Sequence, residues 1–92
     1  MYKYSMTQWI VGDEDIEYSF RRLKNCGYDG IEFAAEPYTL DAERLCRLMK
    51  EYGLECTSLC GIFPESRDLT AADPAAADAA VKYVCDSVDL AV

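Results

Sequence analysis

The chain has 92 residues, with 17 acidic and 9 basic side chains, no histidine and five cysteines, and 51% of it is apolar or aromatic. A chain of this length sits inside one ordinary domain and its apolar content is enough for a packed core, so neither a disordered tail nor several domains is expected within these residues. At a net charge of −8 there is no basic footprint to neutralise phosphates, so nucleic acid and anionic membranes are not expected partners.

Histidine is the commonest general base at neutral pH and the commonest metal ligand. Without it, any acid–base or metal chemistry falls to carboxylates, Tyr, Lys or Cys. Cys26, Cys46, Cys56, Cys60 and Cys85 are odd in number and contain no C-x-x-C pair. That pattern fits reduced thiols packed as small apolar residues better than a disulfide framework or a zinc site. Met1 to Thr7 alternates Tyr2, Tyr4 and Met6 with Lys3, Ser5 and Thr7 and lacks the apolar run of a signal peptide. No stretch approaches the roughly 18 to 20 apolar residues of a membrane span. A cytoplasmic address is the resulting expectation.

In chain order, the two-residue alternation of Tyr2 to Thr7 predicts a first strand. Gly12 and an Asp13 N-cap then announce a helix whose Ile16, Phe20 and Leu23 recur at i, i+4 and i+7, and Gly27 ends it. Tyr28 to Ala34 is the second strand. After the Glu36-Pro37 break, Asp41 is the N-cap of a second helix carrying Leu45, Leu48, Met49 and Tyr52, closed by Gly53. Leu54 to Cys60 is the third strand and Gly61 to Ala72 a longer loop. Asp73-Pro74 supplies an N-cap with proline at the first helical position, opening a third helix. Its Ala77, Val81, Val84, Val88 and Ala91 are spaced 4, 3, 4, 3.

An internal repeat underlies this order. Leu23-Lys24-Asn25-Cys26-Gly27-Tyr28-Asp29 aligns with Met49-Lys50-Glu51-Tyr52-Gly53-Leu54-Glu55 at an offset of 26 residues. Each copy marks a helix end, its glycine and the next strand. Strands separated by such helices are parallel with right-handed crossovers, so the predicted architecture is α/β with three consecutive βα units, roughly 2–27, 28–53 and 54–92. A three-stranded parallel sheet leaves both edge strands unpaired. The expectation is a single incomplete domain over residues 1–92, belonging to a larger protein or to a homo-oligomer formed through the exposed sheet edges.

Tyr4-Ser5-Met6-Thr7, Trp9-Ile10-Val11-Gly12-Asp13 and Gly27-Tyr28-Asp29-Gly30-Ile31-Glu32 resemble the start of sugar phosphate isomerases/epimerases of the xylose-isomerase-like TIM-barrel superfamily. Tyr52-Gly53-Leu54-Glu55, Ser58-Leu59-Cys60-Gly61, Arg67-Asp68-Leu69-Thr70 and Asp73-Pro74 follow the third βα unit of that family in order and spacing. The resemblance implies a partial TIM (β/α)8 barrel, since a full barrel needs eight βα units and about 250 residues. It also implies an intact relative that uses a divalent metal, Mn, Mg, Co or Zn, held by Glu, Asp and His ligands from later strands. The implied chemistry is proton transfer next to a carbonyl of a small sugar or cyclitol. None of that ligand set is in this sequence, so the 92 residues are expected to bind no metal or other cofactor and to be inactive alone; enzyme status is open for this chain by itself.

In a TIM barrel the active site lies at the C-terminal ends of the strands. Those positions offer six substrate-binding candidates, each with a plainer alternative. Trp9 either walls a sugar face or staples its loop to the first helix. Glu32 and Glu36 either accept hydrogen bonds from sugar hydroxyls or pair with a basic neighbour. Arg67 could hold a phosphate bidentately and Asp68 a hydroxyl, or the two form a loop-ordering ion pair. Cys60 could line the site, but the sequence has no histidine to activate its thiol, and no catalytic residue is assigned in this chain. A non-catalytic self-associating module is the alternative class. The endonuclease-IV branch of the superfamily fits less well: it relies on histidines and basic residues, and residues 51 to 92 hold only Arg67 and Lys82 against eight acids.

Overall fold

The computed structural model describes residues 1–92. Its elements run β1 (Ser5–Thr7), a short 3-10 helix (Gln8–Val11), α1 (Ile16–Asn25), β2 (Gly30–Ala34), α2 (Ala42–Tyr52), β3 (Glu55–Cys60) and α3 (Pro74–Ala91). The strands form one parallel sheet in the order β1-β2-β3, which is the predicted α/β succession of three βα units. The chain divides into two compact units. The first comprises Met1–Ala34 with Asp41–Cys60, the second Ala35–Leu40 with Gly61–Val92.

In the first unit the core is built by spacing. Phe20 and Leu23 of α1, Ile31 and Phe33 of β2, and Leu45 and Leu48 of α2 are all buried. Phe20 is fully enclosed, its ring 6.0 Å from that of Phe33 and edge-on to Tyr52 at 6.5 Å. Such aromatic pairs add directional attraction to the area they bury.

Helix boundaries follow their local chemistry. Asp41 Oδ1 accepts the Arg44 amide, and Gly53 at φ 66° ends α2 in the left-handed conformation that glycine adopts without steric cost. The predicted Asp13 cap moves to Asp15, whose Oδ2 accepts the Tyr18 amide. Two interactions account for the shift. Thr7 caps the 3-10 helix ahead of it, and Glu14 turns back to accept from the Ser19 hydroxyl and, at 2.7 Å, from Arg22 Nη1. A residue whose side chain is drawn back over the first turn lies before the helix, and Asp15 becomes its cap. β1 is shorter than the predicted Tyr2 to Thr7, because only Ser5–Thr7 pair residue for residue with β2. Tyr4 is engaged differently, its amide donating to Asp29 Oδ2 and its carbonyl accepting from Asp29 and Gly30.

Gly30 sits where three strands come close. Its Cα pairs with Ser5 on one side and Glu55 on the other, and the Ser5 and Thr57 hydroxyls meet at 2.7 Å across it. A Cβ here would lie 2.7 Å from both the Glu55 carbonyl oxygen and Thr57 Cγ2. The neighbouring register irregularity between Ile31 and Glu32 leaves Thr57 as the extra residue of β3. Gly30→Ala is expected to cost about 1–3 kcal/mol by forcing a backbone shift, read as a lowered urea midpoint at unchanged slope.

In the second unit Asp73 Oδ1 accepts the Ala75 amide and Pro74 occupies the first turn, as predicted. α3 buries Ala76, Ala80 and Tyr83, while Val81, Val84 and Val88 of the 4-3-4-3 stripe are exposed. The cysteines depart from the packed-thiol expectation. Cys26, Cys46, Cys56 and Cys85 are exposed, because they fall at a helix cap, on outward helix positions and on an edge strand rather than on the buried stripes. No helix is long and apolar enough to cross a membrane.

Candidate functional site

Three of the six candidates lie in the first unit. Trp9 is in the 3-10 helix directly after β1 and is 55% exposed, its amide donating weakly to Thr7 Oγ1. That helix is tied to the end of β2 by Gln8, whose Oε1 accepts the Ala34 amide at 2.9 Å. Glu32, half-buried within β2, accepts a 2.6 Å hydrogen bond at Oε2 from the Ser58 hydroxyl of β3. Its hydrogen-bond partner is therefore a neighbouring hydroxyl, and no ion pair joins it to a basic residue. Cys60 is half-buried at the last position of β3. Cys56, two pleats earlier, is exposed as a residue, yet the partial shielding of its sulfur from water pushes the thiol up, with a weaker opposing contribution from the Ser58 backbone. A thiol raised in this way stays protonated and unreactive.

The other three lie in the second unit. The Glu36 carbonyl accepts the Thr39 and Leu40 amides, so its backbone forms the turn that follows β2. Arg67 and Asp68 do not pair with each other, and each orders the loop separately. Arg67 Nε donates to the Ile62 carbonyl at 2.8 Å, and its guanidinium carbon lies 3.8 Å from the centre of the Tyr83 ring. Asp68 Oδ1 accepts both the amide and the hydroxyl of Thr70 at 2.8 Å, and these bonds hold its carboxyl below the ordinary carboxylate range. The Asp68 amide donates to the Ala76 carbonyl, tying the loop to α3.

Two features of the second unit were not legible in the sequence. Tyr83 is 1% exposed; its hydroxyl donates to the Ala35 carbonyl at 2.7 Å and accepts the Ile62 amide at 2.9 Å. Its one signal was an aromatic at i+3 and i+7 from Ala80 and Ala76 in a helix otherwise rich in alanine and valine. Tyr38 donates to Asp86 Oδ2 at 2.6 Å, and Lys82 donates to the same carboxylate while lying 5.3 Å from the Tyr38 ring centre. The bond to Asp86 raises the Tyr38 hydroxyl, and Lys82 first, then Tyr38, lowers the Asp86 carboxyl. Pro37, Tyr38, Lys82, Asp86, Asp89 and Leu90 line an open groove of about 430 Å³.

Parallel strands alternating with helices, and candidate polar groups at the strand ends and in the loop after β3, define an α/β protein of the barrel type. The xylose isomerase-like TIM barrel family model matches residues 20–92, and the chain belongs to that family. In a crystal structure of D-allulose 3-epimerase from Methylomonas sp. in complex with D-allulose, the matching region has a TM-score of 0.81 at 24% identity. The match covers 96% of this chain and 32% of that one, so these residues form a partial TIM barrel spanning about a third of the length of that protein. No curated protein matches the sequence.

Proposed function

We propose that these residues form the first three βα units of a sugar isomerase or epimerase. Its reaction is proton transfer at the carbon next to a carbonyl of a small sugar, sugar phosphate or cyclitol, in the cytoplasm. The observation that carries this reading is the family match over residues 20–92, supported by the likeness of fold to an epimerase. Within this chain the contribution is binding and positioning. Glu32, oriented through Oε2 by Ser58, offers its carboxylate to a substrate hydroxyl. The exposed face of Trp9 suits the apolar C–H face of a sugar ring.

Relatives in this family are expected to use a divalent metal, and the residues here do not fit one: no group of three or more His, Cys, Asp or Glu side chains could hold it. No step in this chain is therefore derived through a metal, and the proton-transferring carboxylates are assigned to further βα units.

The test is exchange of solvent deuterium into ketoses in D2O with Mn²⁺, followed by proton NMR. It compares the 92-residue chain with the longest polypeptide translated from its coding region. Exchange at the carbon beside the carbonyl by the longer polypeptide, with the 92 residues no better than a metal blank, is the expected result. Absence of exchange from both overturns the reading, and turnover by the 92 residues alone overturns their assignment as non-catalytic.

A further inference from the structure

We infer that Arg67, held over the Tyr83 ring, is a preorganised receptor for an oxyanion: the phosphate or carboxylate group of a small ligand. Three observations within the second unit converge on it. The guanidinium is held in place by two contacts that use neither of its terminal nitrogens. Nε donates to the Ile62 carbonyl, and the guanidinium carbon lies over the Tyr83 ring, 3.8 Å from its centre. That ring is itself immobilised, since its hydroxyl bonds both Ile62 and Ala35 and the Phe63 ring meets it edge-on at 5.3 Å.

The charge is also unmatched. Residues 51 to 92 contain eight acids, yet none lies within 4.0 Å of Arg67, and the four ion pairs of the chain all involve other cations. Asp68 next to it is turned onto Thr70, Asp86 is held by Lys82 and Tyr38, and Glu65 makes no ion pair. A guanidinium left without a carboxylate in so acidic a segment carries a local positive field that the protein does not consume. Finally, the fork is not sealed off. Arg67 is half-buried and no fully enclosed side-chain nitrogen or oxygen lacks a partner, so the Nη groups, for which no hydrogen bond is formed within the chain, keep some contact with solvent.

These conditions select the ligand chemistry. Two parallel N–H donors from one planar group match two oxygens of a phosphate or carboxylate, and the match is lost with lysine, whose ammonium is a point charge. Stacking keeps the fork from losing rotamer freedom on binding, which is the usual cost of an arginine contact. The inference rests on the proposed function and deepens it, assigning Arg67 to the anionic group of the substrate; oxyanion binding needs no proton transfer, so it is tested separately from turnover.

The test is a nitrogen-15 NMR titration of the 92-residue chain at constant ionic strength, reading the Arg67 Nε–Hε signal. The probes are fructose 6-phosphate, inorganic phosphate, gluconate and, as the neutral control, fructose. A saturable shift with fructose 6-phosphate or gluconate and none with fructose is expected; the stronger of the two identifies phosphate or carboxylate as the preferred group, and inorganic phosphate shows whether the sugar adds affinity. Arg67→Gln should abolish the saturable response of the surrounding amides, and Arg67→Lys should weaken it by about tenfold, with methyl signals of the core reporting that each variant is folded. The inference fails if no anion gives a saturable shift, if fructose shifts the signal as strongly as its phosphate, or if Arg67→Gln binds as the parent does.

Discussion

Phe20→Ala is expected to lower the unfolding free energy by about 3–5 kcal/mol, the largest loss from any single side chain of the first unit. Phe20 is fully buried at the place where α1 meets β2 and α2, with Phe33 at 6.0 Å and Tyr52 at 6.5 Å. Truncation removes the apolar area and leaves a cavity lined by two rings that cannot collapse onto each other without moving a strand and a helix. Small domains have total stabilities of about 5–15 kcal/mol, so the loss is a large fraction of the total. Urea titration followed by circular dichroism measures it, with Phe20→Leu as the control that keeps most of the volume and costs about 1.5 kcal/mol or less. An alanine variant as stable as the leucine one would mean that Phe20 does not organise this core.

Tyr83→Phe is expected to cost about 2–4 kcal/mol, although it removes only one oxygen. The ring and its area stay, so the loss comes from what the hydroxyl leaves behind. The Ala35 carbonyl loses its 2.7 Å donor and the Ile62 amide its 2.9 Å acceptor. A buried backbone group without a partner costs about 1–3 kcal/mol; the Ala35 carbonyl is buried and the Ile62 amide part-buried, which puts the sum of the two losses at about 2–4 kcal/mol. Hydrogen exchange separates this cause from a general weakening: the Ile62 amide should be slow in the parent and fast in the variant, while amides of α2 keep their rates. A variant with parental stability would show that water replaces the hydroxyl at both groups.

Where the sequence was readable, the deciding interactions were local. Asp41 and Gly53 delimit α2, and Asp73-Pro74 opens α3, because a cap bonds an amide two or three residues away and a left-handed glycine needs no distant partner. Asp13 and Asp15 were both competent caps, and the choice depended on Glu14 reaching Ser19 and Arg22. The candidate residues divide in the same way. Arg67 and Asp68 were identifiable as an unusual pair, but adjacency suggested that they bond each other. Folding instead sends one to Tyr83 and the other to Thr70, because Thr70 lies two residues away and Tyr83 offers an aromatic face. Ser58 and Gln8 had no signal at all: each acts across strands or from a loop to a strand end, on a partner 26 residues away.

The sequence by itself determined the succession of three βα units, their parallel order and membership of a barrel-type family. Periodicity, caps and the 26-residue repeat are properties of neighbours along the chain, and the sign and amount of charge need no fold at all. Only the tertiary structure decided that Gly30 must lack a side chain, which face of α3 is buried, and that Arg67 rests on Tyr83 and not on Asp68. Those outcomes depend on distances between residues far apart in sequence, which are set when strands pair and the loop after β3 meets α3.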